Sequence, residues 1–97
     1  MGMDLVAANP NKELKWEGNL HYNWSGWGWL MERLEEWGGV EMDYFAGSND
    51  GKVIPESVCK QVADALEAHF NELTPEDKQW LEPHIANWRA SSGFEQW

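Results

Sequence analysis

The chain has few of the residues that form crosslinks, thiolate metal sites or nucleic-acid interfaces. Of its 97 residues one is a cysteine, Cys59, so an intrachain disulfide is excluded and a zinc site built from this chain's thiolates is too. Lys and Arg together number 7. Because nucleic-acid binding needs basic side chains that displace counterions from the phosphates, we expect no direct binding of DNA or RNA.

Long apolar runs and targeting signals are missing as well. No segment approaches the roughly 18 consecutive apolar residues of a membrane span, and the first residues lack the basic and apolar regions of a signal peptide. Met1-Gly2 opens a myristoylation motif, but Val6 stands where that motif takes Ser or Thr. We therefore expect a cytoplasmic protein of one domain, residues 1–97, that does not bind membranes.

The common catalytic motifs are absent too. The sequence contains no P-loop, no Gly-x-Ser-x-Gly elbow, no dinucleotide-binding glycine motif and no His-Glu-x-x-His. His21, His69 and His84 are dispersed, and none has a second histidine or a cysteine at helical ligand spacing. We expect no catalysis, no metal and no cofactor. His69, His84 and Cys59 are interpreted as core or boundary residues.

Acidic residues and tryptophan are abundant. Asp and Glu number 17, which gives a formal net charge of −10, and 8 residues are tryptophan. The charge has two interpretations, which stay open: solubility, or a basic partner such as a nucleic-acid-binding protein whose positive groove the chain occupies.

Alternation of apolar and polar residues predicts the strands. A first strand covers residues 3–7, and a terminal strand covers 94–97. Leu14 and Trp16 alternate with polar residues before Gly18-Asn19, as do Leu20 and Tyr22 after it, which suggests a hairpin.

Helical spacing of apolar residues predicts three helices. The first covers 26–37 with Ser25 as its N-cap and Gly38 as its stop, and the second covers 55–72. The third begins after Thr74, with a kink or break at Pro83. These elements predict an α+β fold, about three helices packed on a small antiparallel sheet formed by the N- and C-terminal segments.

The tryptophans and acids of the first helix define a candidate partner-binding surface. Four tryptophans fall on helix faces that are predicted to pack in the core: Trp27, Trp37, Trp80 and Trp88. The other candidates are harder to bury together: Trp24, Trp29 and Trp97. The candidate surface combines an aromatic anchor with carboxylates of the first two helices: Trp24, Trp29, Glu32, Glu35, Glu36, Asp64 and Glu67.

Two other uses of the tryptophans stay open. In the first, Asp4, Trp24 and Trp27 line a pocket for a sugar, nucleotide or signalling molecule. Asp4 itself either faces solvent by strand alternation or is a buried hydrogen-bonding group. In the second, exposed tryptophans form a homodimer, which is compatible with either binding role.

Four segments carry a resemblance to a family of small uncharacterised bacterial and bacteriophage proteins. They are Met1-Gly2-Met3-Asp4-Leu5, the segment 23–30, Ser48-Asn49-Asp50-Gly51 and Ser91-Ser92-Gly93-Phe94. The family brings no activity or catalytic residues. In size and charge the chain also resembles the phage inhibitors of bacterial defence systems, including anti-CRISPR proteins. We therefore expect an inhibitor that binds a basic protein or nucleoprotein complex of a bacterial host, with small-molecule binding as the alternative.

Overall fold

The α+β class is confirmed by a computed structural model, which describes residues 2–45 and 50–97. These residues form strands β1 (Gly2–Ala7), β2 (Leu20–Asn23), β3 (Val53–Pro55) and β4 (Gly93–Gln96), and helices α1 (Trp24–Trp37), α2 (Glu56–Ala68) and α3 (Pro75–Ala90). Short 3-10 turns cover residues 15–18, 42–44 and 70–72.

The sheet joins the two ends of the chain. Its strand order is β2-β1-β4-β3, and every neighbouring pair is antiparallel. On β1, Asp4 lies opposite His21 of β2, and Val6 lies opposite Glu95 of β4. The N- and C-terminal strands β1 and β4 are therefore the two central strands, and the prediction that both ends of the chain join one antiparallel sheet is confirmed.

One face of the sheet is buried and the other is open. Met3, Leu5 and Ala7 of β1 are buried, whereas Asp4 and Val6 between them are exposed, because successive side chains of a strand point to opposite faces. The buried face packs against apolar stripes of the three helices, which include Leu30, Leu34, Val58, Val62, Leu66, Leu81 and Trp88. The side chains on the open face of the sheet meet solvent.

The ends of α1 and α2 differ from the predicted ends. Asn23 caps α1, since its Oδ1 accepts a hydrogen bond from Gly26 N at 2.7 Å, so the prediction of Ser25 as N-cap is wrong. The extended backbone of β2 reaches Asn23, which places the cap there. Helix α2 ends at Ala68 rather than at residue 72, because His69 leaves the helical backbone region and a 3-10 turn follows.

The third helix begins as predicted. Thr74 Oγ1 accepts a hydrogen bond from Asp77 N at 3.2 Å, and Pro75 stands in the first turn, where a proline costs no hydrogen bond. The helix is not broken at Pro83 and continues to Ala90.

The predicted hairpin strand at residues 14–16 is wrong. Trp16 (φ 56°) and Glu17 (φ 57°) adopt the left-handed conformation, which a strand does not contain. Hydrogen bonds from α3 fix this turn, since Asn87 Nδ2 donates to the carbonyls of Lys15 and Asn19, both at 3.1 Å. A contact 72 residues away thus decides the local conformation.

A substitution at Gly51 can test the packing at the end of the sheet. Its φ is +83°, and a Cβ there would lie 2.6 Å from the Trp97 ring. We expect Gly51→Ala to lower the free energy of unfolding by about 1–3 kcal/mol, because the ring must move and the backbone is strained. Gly28 of α1, which has no neighbouring atom within 4 Å of a Cβ, is the control. Gly28→Ala raises helix propensity and stabilises by up to about 1 kcal/mol. Urea unfolding of both variants checks this, and equal stability of Gly51→Ala and wild type would contradict it.

Candidate functional site

The exposed side of α1 carries part of the predicted partner-binding surface. Trp24, Gly28, Glu32 and Glu35 recur at helical spacing and are exposed, and we call them the α1 surface. Trp24 is 40% exposed, which is high for a tryptophan. Arg33 lies beside this surface, with its guanidinium 3.6 Å from Glu32 and 3.5 Å from Glu36.

Trp29 lies apart from Trp24 and is half-buried. Its ring centroid is 5.7 Å from that of Trp80, and the Arg33 guanidinium lies 5.8 Å from the ring. Together with Glu36 and Asp77, Trp29 lines a cleft of about 280 Å³ between α1 and the start of α3. The two candidate anchors therefore occupy different surfaces, and Trp24 is the more accessible one.

Asp64 and Glu67 are held in an ion-pair network between α2 and α3. Arg89 Nη2 lies 2.7 Å from Glu67 Oε1, and Nη1 lies 2.6 Å from Asp64 Oδ1. Hydrogen bonds to Glu67 and Asp64 raise the pKa of the Arg89 guanidinium. These two carboxylates already have a cationic partner within the chain, in contrast to Glu35 on the α1 surface.

The open face of the sheet carries a cleft of about 680 Å³, which we call the sheet cleft. Its walls include Trp16 and Trp97, its polar side chains include Asp4 and His21, and His84 also lines it. The prediction that Asp4, Trp24 and Trp27 line one pocket is wrong for the two tryptophans. Asp4 lines the cleft, but Trp27 is only 4% exposed in the core, and Trp24 is not among the lining residues.

Backbone pairing holds Trp97 in place beside Asp4. Asp4 N donates to the Trp97 carbonyl at 3.1 Å, and Trp97 N donates to the Asp4 carbonyl at 2.8 Å. The Trp97 indole N–H donates to Glu95 Oε1 at 3.0 Å. The side chain of Trp97 nonetheless stays 49% exposed, so one wall of the cleft is an accessible indole.

The left-handed turn presents Trp16 as the other wall. Trp16 is 54% exposed, and its ring meets His84 edge to face with the centroids 5.6 Å apart. A left-handed backbone costs a residue other than glycine on the order of 1–3 kcal/mol, and such strain clusters at binding sites. Trp16 and Glu17 both adopt it. Sequence reasoning missed Trp16, because neither residue is a glycine or asparagine that would signal positive φ.

Asp4 and His21 form a pair across β1 and β2. Asp4 Oδ1 accepts a hydrogen bond from His21 Nδ1 at 2.6 Å, and both side chains are more than half exposed. The interpretation that Asp4 faces solvent by strand alternation is therefore confirmed. Sequence reasoning did not connect His21 with Asp4, since their proximity depends on the strand register.

A buried hydrogen-bond network lies behind the cleft. Trp88 Nε1 donates to the Tyr22 hydroxyl at 3.0 Å, and that hydroxyl lies 2.7 Å from His84 Nδ1. The direction of this second hydrogen bond depends on the tautomer of His84: the hydroxyl donates to Nδ1 when the ring proton is on Nε2, and accepts from Nδ1 when it is not. Burial lowers the pKa of His84 to about 4 and raises the pKa of Tyr22. The interpretation of His84 as a buried, hydrogen-bonded residue is confirmed.

The other two core interpretations are confirmed as well. His69 is half-buried, stacks on Trp37 with ring centroids 4.5 Å apart, and bonds Glu72 at 2.8 Å. Cys59 is fully buried, and burial raises the pKa of its thiol to about 11. At neutral pH the thiol is protonated and thus a poor nucleophile.

Among the described residues there is neither a metal-binding cluster nor a membrane-spanning helix. Across residues 2–45 and 50–97, no group of three or more His, Cys, Asp or Glu side chains is placed to hold a metal ion. Within the same ranges, none of the helices is long and apolar enough to cross a membrane. Ser48 and Asn49 of the Ser-Asn-Asp-Gly segment lie outside the described residues.

The chain matches none of the known proteins with which it was compared. No family model matches the sequence, and neither a curated protein nor a solved structure matches it. The resemblance to small bacterial and phage proteins therefore stays a prediction.

The buried histidine predicts a loss of stability in acid. Between pH 6.5 and about 4 the unfolded chain protonates residue 84 while the folded chain does not, so the free energy of unfolding falls as the pH falls through this window. We expect a loss of about 2 kcal/mol from pH 7 to pH 5. His84→Gln keeps an acceptor for Tyr22 and removes the titration. Urea unfolding at both pH values should show this loss in wild type relative to the variant, and an identical pH dependence would refute it.

Proposed function

We propose that the chain is a non-enzymatic binding protein whose α1 surface docks onto a basic surface of another protein. The observation that carries the proposal is the exposure of the acids: of the 17 carboxylates, all except Asp77 are exposed, and Asp77 is half-buried. A surface of this charge attracts cationic proteins at long range and repels nucleic acid.

The shape of the α1 surface supports docking. Trp24 lies exposed at its start, and the space beside Gly28 is open, since no neighbouring atom lies within 4 Å of a Cβ there. Glu32 and Glu35 follow on the same side. An accessible indole supplies the area that a docking partner buries, while neighbouring carboxylates steer the encounter.

The narrower proposal concerns the partner and its setting. A strongly negative surface can occupy the positive groove of a nucleic-acid-binding protein in place of phosphates. We propose that the partner is such a basic protein or nucleoprotein complex in the cytoplasm of a bacterial host, and that binding inhibits it. Charge supports this class of partner, and the phage or mobile-element origin stays a prediction.

A comparison of two charge-matched variants tests the α1 surface. Wild type is immobilised and exposed to a bacterial lysate, retained proteins are identified, and their affinities are measured against salt. Glu32→Lys with Glu35→Lys reverses two charges on the α1 surface. Glu13→Lys with Glu82→Lys makes the same change in net charge at exposed positions outside it. We expect the α1 variant and Trp24→Ala to weaken binding of a basic protein at least about tenfold, and the control to keep most of it.

Three results would refute this proposal. Binding that is indifferent to ionic strength removes the electrostatic argument, because attraction between exposed charges is screened by salt. Equal losses in the α1 variant and its control show that only net charge matters. A wild-type protein that retains no basic protein has no partner of the proposed class in that host.

The sheet cleft supports a second candidate function, the binding of a small ligand. Its volume of about 680 Å³ lies within the range of roughly 300–1,000 Å³ that is common for ligand sites. Two accessible indoles beside a carboxylate supply the apolar surface and the polar group that such sites combine. We propose this function for the cleft independently of the α1 surface.

A further inference from the structure

The charges that line the sheet cleft are unequal. Among its lining residues Asp4 carries the one carboxylate side chain, His21 is hydrogen-bonded to that carboxylate, and neither a lysine nor an arginine is present. Burial lowers the pKa of His84 to about 4, so its ring adds no positive charge at pH 7. With a formal charge of −10 on the whole chain, an anionic or phosphorylated ligand would be repelled.

Asp4 has an oxygen left for a ligand. His21 bonds its Oδ1, whereas nothing in residues 2–45 and 50–97 donates a hydrogen bond to its Oδ2. The side chain is 60% exposed, so a second donor can approach it. An ionised carboxylate accepts its strongest hydrogen bonds from guanidinium and ammonium groups.

The indole walls favour a positive ligand as well. The negative face of an indole attracts guanidinium and ammonium groups within about 6 Å of the ring centroid. Trp16 already has such a neighbour in its own chain, because Lys15 Nζ lies 5.8 Å from its centroid. Lys15 takes up part of this attraction and places one positive charge near the wall, but 54% of Trp16 stays exposed to a ligand.

We infer that the sheet cleft binds an organic cation, a guanidinium or alkylammonium group on an apolar stem. The head meets Asp4, while the stem packs on Trp16, Trp97 and Val6. This inference rests on the second proposed function, that the cleft takes a ligand. The cation has two possible sources, a free small molecule or an arginine or lysine side chain of a protein.

A pair of matched probes tests the charge of the ligand. N-acetylarginine amide and N-acetylcitrulline amide have nearly the same shape, but only the first is cationic. Each is titrated into ¹⁵N-labelled protein while the tryptophan indole N–H signals are followed by NMR. We expect the arginine probe to shift the Trp16 and Trp97 signals saturably, with a Kd at least about tenfold lower than that of the citrulline probe.

The possible outcomes distinguish a failure of this inference from a failure of the ligand-binding function on which it rests. If both probes bind equally at Trp16 and Trp97, the cleft binds ligands but does not select cations, and the inference fails alone. If neither probe shifts those signals, the inference fails, and the ligand-binding function is refuted for ligands of this size and shape. If wild type is a dimer that Trp16→Ala dissociates and the arginine probe does not bind, a second copy occupies the cleft and both are wrong.

Three variants locate the site. Asp4→Asn is nearly isosteric at an exposed position and removes the charge, and Trp16→Ala removes one wall. Both should raise the Kd of the arginine probe about tenfold. Tyr44→Ala, which removes an exposed aromatic side chain outside both the cleft and the α1 surface, should leave it unchanged. Equal affinity of all three variants and wild type would place the probe elsewhere.

A peptide distinguishes the two sources of the cation. The titration is repeated with Gly-Gly-Arg-Gly-Gly, blocked at both ends. A Kd more than tenfold below that of the arginine probe supports an arginine side chain of a protein as the natural ligand. Equal affinities support a free cation. A peptide that fails to bind although the arginine probe does also supports the free cation.

Discussion

The backbone pairing of β1 with β4 joins the two ends of the chain, and both the core and the sheet cleft depend on it. It buries Leu5 and Phe94 together on the helix side of the sheet. On the open side, the hydrogen bonds between Asp4 and Trp97 set a carboxylate next to an indole. If this pairing opened, the core would lose its central strands and the cleft would lose one wall.

The second wall of the sheet cleft, Trp16, depends on polar contacts that compensate for the strained backbone of its turn. Trp16 and Glu17 have an unfavourable backbone, but Asn87 donates to both ends of their turn, and the Asn19 side chain accepts from Ala7 N at 2.8 Å. The adjacent network satisfies Tyr22, His84 and Trp88 inside the core. A buried donor or acceptor without a partner costs roughly 1–3 kcal/mol of desolvation free energy, which these hydrogen bonds avoid. The turn therefore packs against a well-ordered part of the core.

The elements with a regular local pattern of apolar residues could be predicted from the sequence. The stripe of Val58, Val62 and Leu66 defines α2, and alternation defines β1, because each pattern reports the face that a single element buries. The turn at Trp16 could not be predicted, since its conformation depends on Asn87 of α3. The sheet cleft is non-local in the same way: Asp4, His84 and Trp97 lie far apart in sequence.

Both proposed sites would take a positively charged partner or ligand, yet charge alone cannot hold it at either. At physiological ionic strength, interactions between exposed charges are screened over about 8 Å, and an exposed ion pair contributes at most about 1 kcal/mol. The 17 carboxylates therefore raise the rate of encounter more than the lifetime of a complex. The lifetime depends on apolar area removed from water. Trp24 on the α1 surface, and Trp16 and Trp97 in the sheet cleft, are 40–54% exposed and supply that area beside a carboxylate.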